Sequence, residues 1–341
     1  MARHPSLIKD VLAGRSSQEI RNKVKLLNQQ EQEKALENKA LEFIKALKKS
    51  APYSIDSANE LRLNRLCAIE DWENRKFLEV ISQFQIPTYY EKCKGILARK
   101  PGLIHRKDWE WAMGVIAMER FGKLSKNSKA IGIGCGKEII MYYLANNIGH
   151  VYATDIYSGS EWDHFAPRDL VQNPGKYAPF DYHENVLTVL RMDGTRLEFP
   201  SDTFDVTFSF SSIEHFGGKD HSGALASVRE MERVLKPGGI AVIATEYIIN
   251  DREAPSFTNQ FYNNKTIHSD LVEPLQQLRL VEPLDLRITT RTLDTVMDAK
   301  DAVKWDTNVF DESYKRTHPY ILLRVGDILL TSVILVFEKG Y

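Results

Sequence analysis

The sequence predicts an α/β doubly wound sheet carrying an N-terminal helical appendage, and three observations predict it. In Ala130-Ile-Gly-Ile-Gly-Cys-Gly-Lys-Glu138, an apolar run feeds a glycine turn and then the helix-like Glu138-Ile-Ile-Met-Tyr-Tyr-Leu-Ala145. Further apolar segments follow at Val151-Tyr-Ala-Thr-Asp155, Val186-Leu-Thr-Val-Leu-Arg-Met-Asp193 and Phe204-Asp-Val-Thr-Phe-Ser-Phe210. Residues 1–100 lack this pattern and read as helices. A strand, a glycine turn and a helix N-terminus let the backbone approach a ligand closely while free N–H groups face it, which points to something nucleotide-like.

Taken in chain order, Glu31 to Lys49 is charged, with Leu36, Ala40, Phe43 and Leu47 at alternating four- and three-residue steps on one helical stripe. Ser57-Ala-Asn-Glu60 has capping-box spacing and introduces a second helix-like run carrying Leu61, Leu66, Ile69 and Trp72, which Ile86-Pro87 breaks. These stripes predict packing on the core; a homodimer contact through the N-terminal helices and a substrate cap are the alternatives. Ile104-His-Arg-Lys-Asp-Trp-Glu-Trp-Ala-Met-Gly-Val-Ile-Ala-Met-Glu-Arg-Phe121 reads as the helix before the first strand. Its Trp109 is expected either buried against the sheet or roofing the site.

The glycine turn excludes two ligand motifs. A G-x-G-x-x-G fingerprint needs glycine where Lys137 or Ile139 stands, and a P-loop needs glycine at Ile131 and a hydroxyl at Glu138. What fits is G-x-G-x-G. With these residues the chain resembles the class I S-adenosylmethionine-dependent methyltransferases, whose first motif runs acid-x-G-x-G-x-G. Arg229-Glu-Met-Glu-Arg-Val-Leu-Lys-Pro-Gly-Gly-Ile-Ala-Val-Ile243 resembles the helix, Leu-Lys-Pro-Gly-Gly turn and fifth strand of these enzymes. Leu197-Glu-Phe-Pro-Ser-Asp-Thr-Phe-Asp-Val resembles their approach to the fourth strand.

The resemblance implies a seven-stranded Rossmann-like methyltransferase sheet over residues 101–341 and S-adenosylmethionine as cofactor. Asp155, an acid ending a second strand about 20 residues after the first turn, can accept both ribose hydroxyl protons. By resemblance Met192 packs on the adenine, Asp193 takes its exocyclic amine, and Gly132, Gly134, Gly136, Ile156, Gly194 and Ser211 complete the cofactor site. One departure stands out: Gly132 replaces the acid that opens the family motif. Glu138 either supplies the missing negative charge to the cofactor ammonium or favours its own helix through the dipole.

Two insertions are expected, an aromatic one at 156–185 and a C-terminal one near 290–318. The first holds Tyr157, Trp162, Phe165, Tyr177, Phe180 and Tyr182 among Pro167, Pro174 and Pro179, as a lid, a substrate wall or a mutually buried cluster. Tyr320 to Phe337 reads as two strands about Gly326-Asp327, with Ile328 to Phe337 a buried strand. For catalysis, Ser211-Ser-Ile-Glu-His-Phe-Gly-Gly218 follows the fourth strand, where the family presents residues to the transferred methyl. His215 is the candidate base, and Glu214 its orienter or the base itself.

Asp163-His164, Asp169, His183-Glu184 and Asp220-His221 offer metal ligands without a recognisable spacing and read as surface groups, so no metal is assigned. At 341 residues with a formal net charge of −1, the chain gives no general electrostatic reason to bind nucleic acid or an anionic membrane. Cys67, Cys93 and Cys135 form neither a disulfide framework nor a zinc pattern, which favours a reducing, cytoplasmic setting. The function expected is methyl transfer to a hydroxyl of a sugar, glycan or other small metabolite. N-methylation of a small molecule and a catalytically silent binding or regulatory subunit are the alternatives.

Overall fold

A computed structural model describes residues 17–57, 60–84, 104–158, 165–217, 220–250, 261–299, 301 and 319–340. Its strands in chain order are β1 (Arg65–Leu66), β2 (Lys129–Ile133), β3 (His150–Asp155), β4 (Leu187–Arg191), β5 (Phe204–Phe210), β6 (Leu235–Ile248), β7 (Leu278–Leu280), β8 (Met297–Asp298), β9 (Leu323–Val325) and β10 (Ile328–Lys339). The longer helices are α1 (Ser17–Ser50), α2 (Arg75–Gln83), α3 (Arg106–Arg120), α4 (Ile139–Asn147) and α5 (Ser222–Val234).

Apolar residues fill both faces of β2, β5 and β6, as strands covered by helices on each side require. Their neighbours run β4-β3-β2-β5-β6, all parallel, followed by the antiparallel β10. Along the other edge of β10 lie β9, β1 and β7. The chain therefore winds outward from β2 through β3 to β4, then crosses back to β5 on the opposite side. That reversal between β2 and β5 is a topological switch point, and open sheets of this kind bind ligands beyond the carboxyl ends of the strands flanking it. The expected doubly wound sheet is formed, and its final antiparallel pair turns at Gly326 with φ +62°.

After α5 stops at Val234, the register between β5 and β6 jumps from Phe204↔Leu235 to Val206↔Ile240, so Lys236-Pro-Gly-Gly239 bulges out of the ladder. Gly238 takes φ +71°, which a side chain would disfavour. The stripe of α1 is realised by buried Ala40 and Ile44 with half-buried Phe43 and Leu47 beside them.

The second N-terminal helix does not form as expected. Leu66 lies in β1 opposite Val333, and Ile69–Glu73 is one 3₁₀ turn before α2, which Asn74 caps by accepting from the Phe77 N–H at 3.0 Å. Ser57 caps no described helix; its hydroxyl accepts from Arg65 and its carbonyl from Asn74. Pairing with β10 offers Leu66 burial that an isolated helix could not, and this tertiary gain overrides the local spacing. Ala58, Asn59 and Ile86-Pro87 lie outside the described residues.

Residues 61–84 join the same apolar core as α3 and α4, and polar side chains tie them in. Asn64 is fully buried; it donates to the Glu282 carbonyl and accepts from the Val336 N–H, each at 2.6 Å. Arg65 pairs with buried Asp71 at 3.0 Å, and Trp109 donates to Asp71 at 2.7 Å. Asn64→Ala strands both backbone groups without water, at about 1–3 kcal/mol for each. Denaturant titration should show the midpoint falling accordingly with an unchanged slope; an unmoved midpoint would mean that this segment does not belong to the cooperative core.

Candidate active site

The switch point brings two turns together. The first follows β2, where Gly134 and Gly136 adopt φ +68° and +47°. A Cβ on Gly134 would lie 2.5 Å from that of Ser212, and one on Gly136 would lie 2.6 Å from the Phe165 carbonyl. The second turn follows β5, and Ser212 Oγ donates across to the Gly134 carbonyl at 2.7 Å. Gly132 differs in kind: it is buried within β2, where a Cβ would strike Cys135 Sγ at 2.2 Å and the Phe208 ring, so glycine there serves packing.

Asp155 ends β3 beside the first turn. Its Oδ2 accepts from the Gly136 N–H at 2.9 Å and its Oδ1 from the Ile156 N–H at 2.7 Å, which leaves further lone pairs on both oxygens. Burial raises its pKa, and the N–H groups of Gly136, Ile156 and Tyr157 oppose that shift. Ile156 and Phe165 are 46% and 53% exposed next to this carboxylate and turn, a pair of large apolar groups left open where a flat ring can lie. The Tyr157 hydroxyl donates to the Gly136 carbonyl at 3.0 Å and fixes the turn from below.

Met192 is half-buried, and its N–H donates to the Asp155 carbonyl at 2.9 Å. Exposed Asp193 accepts on one oxygen from the Thr195 N–H and hydroxyl. Gly194 is buried, with Ile133 and Phe216 filling the space a Cβ would need.

Glu138 occupies the N-cap of α4 without a side-chain capping bond. It meets Lys107 Nζ at 2.5 Å and accepts from Trp111 Nε1 at 3.3 Å. Lys107 also faces Glu110 at 3.1 Å and donates to the Phe210 carbonyl at 2.6 Å. Glu110, buried to 1% exposure, accepts from the hydroxyls of Ser211 and Ser332. Burial lifts the Glu138 pKa to about 7 even though Lys107 pulls it down. For Lys107, burial works against the ammonium, but the charges of Glu110 and Glu138 outweigh it and raise its pKa. Sequence reasoning missed Lys107, Glu110 and Trp111, and of the two places it gave Trp109, buried in the core or roofing the site, burial is the one found. Trp109 is fully buried on Asp71, while Trp111, two residues on, reaches the site.

Glu214 stands in the turn after β5 with 1% exposure, and neither carboxylate oxygen has a hydrogen-bond partner. It is the one buried carboxylate among the described residues with both oxygens in that state. Burial first, then the negative charge of Glu246, pushes its pKa well above the usual carboxylate range. Glu246 is itself ion-paired with Arg106. His215 is half-buried, its ring edge-on to Phe261 at 6.2 Å. With both oxygens unbonded, Glu214 does not orient His215 by a hydrogen bond.

Residues 131–243 match the protein family described as a methyltransferase domain. The matched segment runs from within β2 into β6 and so contains both turns of the site. No curated protein matches the chain. Among solved structures, the YcgJ protein from Bacillus subtilis is similar at 14% identity, covering 68% of this chain and 99% of that one, with a TM-score of 0.42. A SAM-dependent methyltransferase from Aquifex aeolicus is similar at 15% identity over 71% of this chain and 93% of that one, with a TM-score of 0.35. An arsenic(III) S-adenosylmethionine methyltransferase from Chlamydomonas reinhardtii is similar at 14% identity over 64% and 65%, with a TM-score of 0.37.

Within the matched residues, the insertion after β3 contains 3₁₀ turns at Arg168–Val171, Pro174–Tyr177 and Glu184–Val186 and no longer helix among its described residues. The Phe165 carbonyl accepts from the Lys137 N–H at 2.9 Å, which fastens this insertion over the glycine turn. Tyr182 packs edge-on against Tyr142, and Tyr177 donates to Asp169. Trp162, Asp163, His164 and most of 290–318 lie outside the described residues, as does Cys93. Asp169 also pairs with Lys176, and His221 with Asp270; no group of metal-binding geometry occurs among the described residues. No described helix is long and apolar enough to cross a membrane.

The raised carboxyls fix a pH dependence. A carboxyl whose pKa is higher folded than unfolded holds its proton more tightly in the native state, so stability falls as pH rises from the unfolded value toward and through the folded one. For Glu138 that window runs from 4.5 to about 7, and for Glu214 it opens at the same 4.5. Without cofactor, the melting temperature should fall between about pH 5 and about pH 8, a loss on the order of a few kcal/mol. Glu214→Gln should flatten that fall and raise stability at the alkaline end. Melting curves with the same pH slope in both proteins would show that Glu214 is not a buried acid.

Proposed function

We propose that the chain transfers a methyl group from S-adenosylmethionine to a hydroxyl of a sugar, glycan or other small metabolite, with Glu214 taking the hydroxyl proton. The observation that carries this is the hydrogen bond from Ser212 to Gly134, which locks the turn bearing Glu214 onto the glycine turn. Gly134 and Gly136 leave room for close backbone approach, Asp155 receives the ribose hydroxyls, and Ile156 offers an apolar surface beside them. Met192 and Asp193 stand on the adenine side, while Glu138 and Lys107 form the charged wall toward the amino-acid end. Bound there, S-adenosylmethionine supplies a methyl on a sulfonium, open to in-line displacement. Glu214 suits the base role because desolvation has already raised its proton affinity, and its two unbonded oxygens await donors. Alignment of the acceptor by this rigid turn supplies much of the remaining rate.

Calorimetry tests the first half: folded protein should bind S-adenosylmethionine or S-adenosylhomocysteine. Asp155→Ala should weaken that binding by about 1.5–3 kcal/mol, the range for hydrogen bonds to a charged group. Unchanged affinity would remove Asp155 from the site, and no binding at millimolar ligand would remove the proposal.

Labelled S-adenosylmethionine with a metabolite extract, followed by mass spectrometry, identifies the acceptor and the methylated atom. With that acceptor, Glu214→Gln should lower turnover about 10²–10⁴-fold while leaving cofactor affinity nearly intact. His215→Ala should cost less. If His215→Ala abolishes turnover and Glu214→Gln does not, His215 is the base; a methylated nitrogen would replace the hydroxyl acceptor by an amine.

A further inference from the structure

A second group of buried polar atoms adjoins Glu214 and has no part in the chemistry above. His221, the N-cap of α5, is 7% exposed in a left-handed conformation with φ +58°. Its Nδ1 lies 2.9 Å from Asp270 Oδ2, while its Nε2 is buried without a partner. The ring stacks on Tyr262, centroids 4.3 Å apart and planes 19° from parallel. Tyr262 is fully buried, pairs its backbone with β6 at Glu246 and Ile248, and leaves its hydroxyl without a partner. The Glu214 turn packs on the start of α5, where the Phe216 carbonyl lies 2.2 Å from where a Cβ on Gly223 would stand.

A ring nitrogen, a phenol and a carboxylate, all buried and unbonded, each carry a desolvation cost that folding alone leaves uncompensated. Such groups persist where a ligand completes them. We propose that His221 and Tyr262, next to Glu214, form a subsite that holds a second hydroxyl of the acceptor, so that the preferred acceptor is a neutral compound with adjacent hydroxyls. This rests on the methyltransferase reading only for the word acceptor.

The ligand class follows from the donor and acceptor inventory. Asp270 takes the Nδ1–H of His221, which leaves a lone pair on Nε2. Glu214 offers acceptor oxygens only, and the Tyr262 hydroxyl donates one hydrogen bond as well as accepting. An ammonium donates but cannot accept from Tyr262. Adjacent hydroxyls do both: two O–H groups give protons to Glu214 and His221, and one of their oxygens takes the Tyr262 proton. Asp270 is a positioning residue, acting through the tautomer of His221.

The test uses the full chain labelled with ¹⁵N-histidine, with the His221 signals assigned by His221→Gln. The protein is titrated with cis-cyclohexane-1,2-diol, cyclohexanol and cyclohexylamine, with and without saturating S-adenosylhomocysteine. The diol should shift the His221 Nε2 resonance, and cyclohexanol should do so more weakly. Tyr262→Phe, which keeps the ring and its stacking, should weaken the diol response about fivefold. Asp270→Asn should change the tautomer signature of His221. If S-adenosylhomocysteine binds and no probe moves His221, the subsite is wrong while the methyltransferase reading stands. A response to cyclohexylamine alone would overturn the polyol class, and a diol response unaffected by Tyr262→Phe would overturn the assignment of residues.

Discussion

Close approach of the turns after β2 and β5 is the constraint on which the site depends. Gly134 presents no side chain, so Ser212 can move within hydrogen-bonding distance of its carbonyl; a Cβ would fill that gap at 2.5 Å. The approach is possible because β2 and β5 are adjacent, parallel and in register from Ala130↔Val206 to Gly132↔Phe208. Gly132 serves the same end one layer down by making room for Phe208 and Cys135. Replacing the acid of the resembling motif by glycine is therefore a packing choice as well as a loss of charge.

That loss is offset by a different arrangement of charge. Helix α3 carries Lys107 and Glu110 on one face, one turn apart, and aims both at the end of the sheet. Lys107 lies between Glu110 and Glu138, so two carboxylates share one ammonium near the glycine turn. Across the β5 turn, Glu246 is balanced by Arg106 while Glu214 has no cation. The site thus gathers the carboxyls of Glu110, Glu138, Glu214 and Glu246 around the cations Lys107 and Arg106, and burial holds Glu138 and Glu214 toward their neutral forms. A cation brought close to them would lower the cost of ionising both.

The strands and the glycine turn were legible in the sequence because each is a local pattern. Apolar runs of strand length, Gly134 and Gly136 at a strand end, and Asp155 at the end of the next strand all announce themselves within a few residues. Lys107, Glu110 and Trp111 carry no such signal: the α3 segment reads only as a helix, and the choice of Trp111 over Trp109 follows from how that helix is rotated against α2 and the sheet. The same limit explains Leu66, whose strand exists only because β10 has a free edge. His221 and Asp220 read as surface groups in sequence, yet His221 is buried by Tyr262 and Asp270, about 40 to 50 residues away in the chain, a distance no spacing rule spans.

Buried polar groups divide according to where they lie. Around β1 and the start of α3, Asn64, Arg65 and Asp71 are tied to one another, to Trp109 or to backbone, and Glu70 still accepts from Thr292 on one oxygen. Hydroxyls at Thr207, Ser227 and Thr245 lack partners, but a neutral hydroxyl costs far less to bury than a carboxylate. At the carboxyl end of β5 and β6 the balance reverses, with Glu214 unbonded on both oxygens beside the unbonded tips of His221 and Tyr262. A fold that satisfies its charged groups elsewhere can hold a few unsatisfied ones rigidly at one place. Rigid placement is what makes them useful, because groups already desolvated and fixed need no reorganisation when a ligand arrives.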